Sequence, residues 1–205
     1  AIDRHAAATP VEVSSSDAFR FDVIGRFGYP FGVAVHLGIV VVYIFLDQTV
    51  LAAYNVFSVT AFAAAHLLHG RGFVRLAYGI AVAEVTTYTI LGTIWIGWES
   101  GVYMFSLLSA VTVFFAPFLS DSMKTHTVVA QAAIVTLLVP ITRWTGVVQP
   151  LDESVAQFFL VGSLLLLMSS VALCLRAFSR AIHEAEKELT RFSLTISEYL
   201  DPMLV

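Results

Sequence analysis

With 205 residues, 58% of them apolar and 13% charged, and a mean hydropathy of +0.84, the chain carries more apolar side chain than a soluble core of its size can hide; soluble proteins average about 25% charged residues. The formal net charge of −4 and the lack of any dense basic patch argue against a nucleic-acid partner. The single cysteine, Cys174, builds neither a disulfide framework nor a Cys-based metal site and reads as a small buried or lipid-facing side chain.

Residues 1–16 are small and polar without periodicity. The chain begins at Ala1 rather than Met, as a piece of a longer protein would, and no secretory signal peptide is visible. Asp17 is placed to cap a short helix over 17–27 in which Phe19, Val23 and Phe27 share a face with Ile24, while Arg20 intrudes on that face. Two readings of this stretch stand: an amphipathic helix lying in the membrane interface, or an irregular lead-in. Residues 1–29 are thus expected to form an N-terminal segment outside the membrane.

Six apolar runs follow, at about 30–46, 50–68, 76–97, 102–119, 127–146 and 154–175. A helix needs about 20 residues to cross roughly 30 Å of hydrocarbon, so the expected fold is an all-α membrane protein with six transmembrane helices over 30–175. Pro140 falls inside the fifth run, where it can kink a helix. No internal repeat is visible.

With both termini on one side, that side collects Arg4, Arg20, Arg26, Arg71, Arg75, Lys124, Arg176, Arg180, Lys187 and Arg191; of the 11 Lys and Arg, Arg143 alone falls opposite. The positive-inside rule then makes both termini cytoplasmic and the span count even. The far side carries Asp47, Asp152 and Glu153 with Trp95, Trp98 and Trp144, the aromatics of an interfacial belt.

The last run passes without Pro or Gly into charged sequence over 176–200. There Leu175, Phe178, Ile182, Ala185, Leu189, Phe192, Ile196 and Tyr199 are spaced alternately three and four apart. That 3.5-residue repeat keeps one seam toward a partner helix, so the last helix is expected to continue into a parallel dimeric coiled coil.

Ionisable residues inside spans usually face the interior and pair. Glu84 lies about 12 Å and His36 about 9 Å from the charge-rich side at helical rise, with Tyr88 one turn beyond Glu84 and Asn55 on the second span. These four form the candidate polar core for ligand or signal sensing; the plainer reading is hydrogen-bonding glue between helices. A rival reading takes His36, His66 and His126 as axial ligands of a b-type haem, making the chain a haem-linked redox sensor or a membrane cytochrome. A third class is a transporter or channel-like subunit, which the sparse intramembrane charge and the long wet helix disfavour. There is no GxGxxG, Walker A, HExxH or GxSxG motif, and no catalysis is expected within these residues.

Two stretches resemble a known family. The tail TRFSLTISEYLDPMLV, with Tyr199, Leu200, Pro202 and Leu204, is similar to the junction before the catalytic domain of bacterial class III adenylate/guanylate cyclases. Glu84 with Tyr88, then Gly97, Trp98, Glu99, Ser100, Gly101 and Tyr103, resembles the Glu-bearing span and the following turn of the six-helix input domains attached to some of those cyclases. The resemblance implies a sensor in a bacterial inner membrane that regulates a fused cyclase, converting ATP to cAMP, through a homodimeric coiled coil. It further implies a catalytic domain after Val205, with ATP and Mg or Mn used only there, and no cofactor within this chain. Partners are then a second copy of the chain, membrane lipid and a small apolar ligand.

Overall fold

The structure of the chain, a computed structural model, describes residues 15–200, without the side chains of 15–20, 23–24, 177–178, 181, 185, 188 and 195–200. It consists of helices α1 (Ser15–Phe45), α2 (Thr49–Gly70), α3 (Val74–Ile96), α4 (Phe105–Val113), α5 (Asp121–Thr145) and α6 (Glu153–Leu200). Two 3₁₀ turns, Trp98–Ser100 and Val102–Met104, precede α4. Among the described residues five stretches are long and apolar enough to cross a membrane: Gly25–Phe45 of α1, all of α2, α3 and α5, and Glu153–Arg176 of α6.

The fourth apolar run departs from expectation. A full-length helix over 102–119 is not formed; the apolar helical stretch there is Val102–Val113. Pro117 is the physical reason: it lacks an N–H and disfavours helix at the residue before it, and the chain turns at 114–119. The stretch still runs from one end of the bundle to the other. Val102 packs with Tyr43, Leu51 and Ile96, whereas Phe118 meets Phe21 and Tyr78 edge-on at 5.3 and 5.7 Å.

The N-terminal segment also differs. From Ser15 it is continuous with the first span, passing through Pro30, so neither a separate interfacial helix nor an irregular lead-in occupies 17–27. Phe21 is buried there against Tyr78 and Phe118. Residues 1–14 and the Asp17 side chain lie outside the described residues. In α5 the helix likewise runs through Pro140 without interruption, and Ser120 caps it by accepting from Met123 N–H at 3.3 Å.

Helices α1 and α2 form the tightest pair. Gly25 meets the His69 ring and Gly32 the Phe62 ring so closely that a Cβ at either would overlap it. Tyr43 shares a core cluster with Leu51. Each pairing moves seven to eleven residues up one helix and down the other, the mark of an antiparallel pair held by small-residue contacts. At the Trp98 end of the bundle, turns lock together. Val148 and Gln149 donate their N–H to the carbonyls of Ile94 and Trp95 at 3.3 and 2.8 Å. The side chains of Gln48 and Gln149 donate to the carbonyls of Gln149 and Asp47.

Helix α6 is a single 48-residue helix, about 72 Å long at 1.5 Å per residue. Half of it belongs to the apolar stretch ending at Arg176; the rest continues past that stretch, with Arg180 and Glu184 still facing a cavity shared with α1 and α3.

Candidate functional site

The buried face of α1 recurs at Tyr29, His36 and Tyr43, and that of α2 at Leu51, Asn55, Ser58, Phe62, Ala65 and His69. Both follow a 3.5-residue repeat, so each helix keeps one stripe toward its neighbours. Those stripes deliver His36 and Asn55 to one layer, and α3 adds Glu84. Asn55 donates from Nδ2 to the Leu51 carbonyl at 2.7 Å, which orients its amide. Its Oδ1 then faces His36 Nδ1 at 2.6 Å, so that nitrogen carries the hydrogen. The other ring nitrogen, Nε2, faces Glu84 Oε2 at 3.7 Å, with the two side chains 7% and 1% exposed. At that distance the two groups are near neighbours but not hydrogen-bonded.

Neither Glu84 oxygen has a hydrogen-bond partner among the described residues. The neighbouring Ser58 hydroxyl is committed to the Tyr54 carbonyl at 3.2 Å. Tyr88 sits in the same layer, its ring edge-on to His36 at 5.3 Å. Its hydroxyl turns instead to that of Tyr43, at 3.0 Å. Tyr43 in turn stacks on Phe159 of α6 at 5.6 Å. The polar layer therefore reaches α6 through two aromatic side chains.

His36, His66 and His126 do not converge. His36 is engaged at Nδ1 and stacked on Phe62 at 5.2 Å, while His66 and His126 are exposed, the latter bonded to the Ser122 carbonyl at 2.6 Å. Among the described residues no group of three or more His, Cys, Asp or Glu is placed to hold a metal ion.

The turn at 97–104 is built on two left-handed glycines, Gly97 (φ +94°) and Gly101 (φ +71°). Buried Ser100 donates to the Gly97 carbonyl at 2.7 Å, and Trp98 stacks on Tyr103 at 3.9 Å, leaving Glu99 exposed. A Cβ at Gly101 would come within 2.8 Å of Leu160 Cδ1 and 3.2 Å of Leu160 Cα. The turn is thus seated directly on α6.

Toward the opposite end lies a cavity of about 870 Å³ between α1, α3, α4 and α6, reaching from Phe21 and Arg180 to Tyr88 and Phe105. His36 and Glu84 form part of its wall.

On the expected dimer seam, Leu175, Ile182, Leu189 and Phe192 are exposed on α6. Phe178, Ala185, Ile196 and Tyr199 have side chains outside the described residues, as does the ending formed by Leu200, Pro202 and Leu204. The sequence reading missed Tyr43 and Ser58, although Tyr43 is seven residues after His36 and Ser58 three after Asn55, spacings that keep each on its helix's buried stripe. It also missed Gln131, which donates to Thr86 Oγ1 at 2.6 Å and ties α5 to α3; its signal was a lone amide in an apolar run. Comparison of the chain with protein-family models, with characterised proteins and with solved structures finds no match.

Proposed function

We propose that the chain is a sensor domain in a bacterial inner membrane that crosses six times, with both termini cytoplasmic, and regulates a class III nucleotide cyclase through a parallel pair of α6 helices. The observation that carries this reading is α6 itself, which runs unbroken from the bundle into the heptad stretch, where Ile182, Leu189 and Phe192 are exposed. In support of six passages stand five long apolar helices and the stretch 98–119, whose Phe118 meets Phe21 at the far end. Arg71, Arg75 and Lys124 gather at the Phe21 end and Arg143 at the other, the asymmetry that the positive-inside rule assigns to a cytoplasmic and an outer face. Exposed Val161, Leu164 and Met168 fall on the same three-four register as Leu175, Ile182 and Leu189, so the pairing seam extends from the water into the lipid.

The sensing step follows from differential packing. A signal that favours one arrangement of the His36–Glu84 layer acts on α6 through Tyr88, Tyr43 and Phe159, and the Gly101 turn holds the outer part of α6 while this happens. The cyclase assignment rests on the likeness of the tail and of the 97–103 turn to those input domains. It is tested by joining residue 205 to a class III catalytic domain and measuring cAMP formation in membranes. Glu84→Gln and His36→Ala should each shift basal or stimulated activity several-fold. Unchanged activity in both would reduce the layer to structural glue, and a fusion insensitive to any membrane-domain change would sink the cyclase reading.

A further inference from the structure

The cavity is elongated. Its α1 wall runs from Phe21 to Ile39 and its α6 wall from Leu166 to Glu184, each about 27 Å at helical rise. A volume of about 870 Å³ over that length is ample for one extended alkyl chain. The volume itself falls within the roughly 300–1,000 Å³ of small-molecule sites. The slot is lined mainly by apolar side chains such as Phe31, Val35, Val85 and Leu173. At its charge-rich end stand Arg176 and Arg180, one helical turn apart, with Glu184 a turn further. Neither arginine has an ion-pair partner among the described residues. Deeper in, Glu84 and His36 form part of the slot's wall.

We propose that this slot is a receptor site for a single-chain amphiphile with an anionic head, the head lying between Arg176 and Arg180 and the chain running inward toward Tyr88. The proposal rests on the reading of the Phe21 end as cytoplasmic, which sets the arginines at the inner interface where such a head resides. Guanidinium groups suit a carboxylate head because they offer paired N–H donors at fixed geometry. The site also has a route to output. At about 100° per residue, Leu166, Ser170, Leu173, Arg180 and Glu184 centre on one side of α6, while Leu164, Met168, Leu175, Ile182 and Leu189 centre on the other. An occupant pressing on the first face displaces α6 along the direction of its pairing seam.

The test is equilibrium binding of radiolabelled hexadecanoate to the 205-residue chain in phosphatidylcholine nanodiscs. Saturable binding is expected, with hexadecan-1-ol and hexadecyltrimethylammonium competing at least about tenfold more weakly than hexadecanoate. Arg176 and Arg180 are exposed, so the double variant Arg176→Ala, Arg180→Ala should keep its thermal stability and lose about tenfold in affinity. Val35→Trp, which intrudes on the path of the chain, should weaken binding at least about tenfold. Cys174 lines the same slot, and its alkylation by a maleimide should slow when hexadecanoate is bound. Equal competition by the alcohol, wild-type affinity in the double variant, or displacement by phosphatidylglycerol would overturn the proposal. Because binding is read on the chain alone, a failure here leaves the cyclase fusion experiment intact, and binding without any effect on the fusion would count against the sensor reading while the site stands.

Discussion

Asn55 decides the state of the polar layer. By fixing which nitrogen of His36 carries a hydrogen, it turns the second nitrogen toward Glu84. Asn55→Ala strands a buried N–H, so unfolding stability should fall by about 1–3 kcal/mol, read as a lower Tm in detergent. Tyr43→Phe removes only the hydroxyl contact to Tyr88 and keeps the stack on Phe159. It should cost about 1 kcal/mol and shift fusion-cyclase stimulation without weakening dimerisation. Gly101→Ala must hold a side chain at φ +71° and push it onto Leu160, a loss of about 1–3 kcal/mol. Gly162→Ala on α6 meets nothing within 4 Å and should leave Tm unchanged or raised. At this scale the sequence was partly legible. Glu84 and His36 stood out because ionisable groups inside apolar runs are expensive. The hydrogen bond between His36 and Asn55 did not, because it depends on the relative height and rotation of two helices, which no single-chain pattern encodes.

Among the elements, the apolar runs located α2, α3, α5 and the membrane half of α6, since length and composition alone determine what a bilayer accepts. They misjudged the fourth passage. Its composition is that of a span, but Gly97 and Gly101 turn the chain at one end and Pro117 stops the helix at the other, and composition carries no word of either. The heptad on α6 yields a phase prediction. Inserting four residues after Glu186 in the cyclase fusion introduces a stutter that locally unwinds the coil and interrupts the seam's regular register, whereas inserting seven preserves that register. Stimulated cAMP formation should survive the seven-residue insertion and be lost with four. Survival of both would mean that the helix acts only as a tether.

At the level of the whole molecule, the charge partition and the geometry of the ends make a common demand: the turns at 46–48, 97–104 and 146–152 share one face, and those at 71–73 and 114–120 the other. In a Cys174→Ser background, a cysteine at Val147 should react with an impermeant maleimide added outside intact cells, and one at Gly72 should react only after the membrane is opened. Labelling at Gly72 alone from outside would reverse the proposed six-pass arrangement, and labelling at both would break it. The central claim, that α6 pairs with α6 of a second chain and passes the state of the bundle outward, is tested most directly by disulfide scanning in membranes, with single cysteines placed in turn from residue 182 to 193. The account predicts crosslinking maxima at 182, 185, 189 and 192, with minima at 184 and 187. Uniform crosslinking, or none at the seam positions, would contradict it.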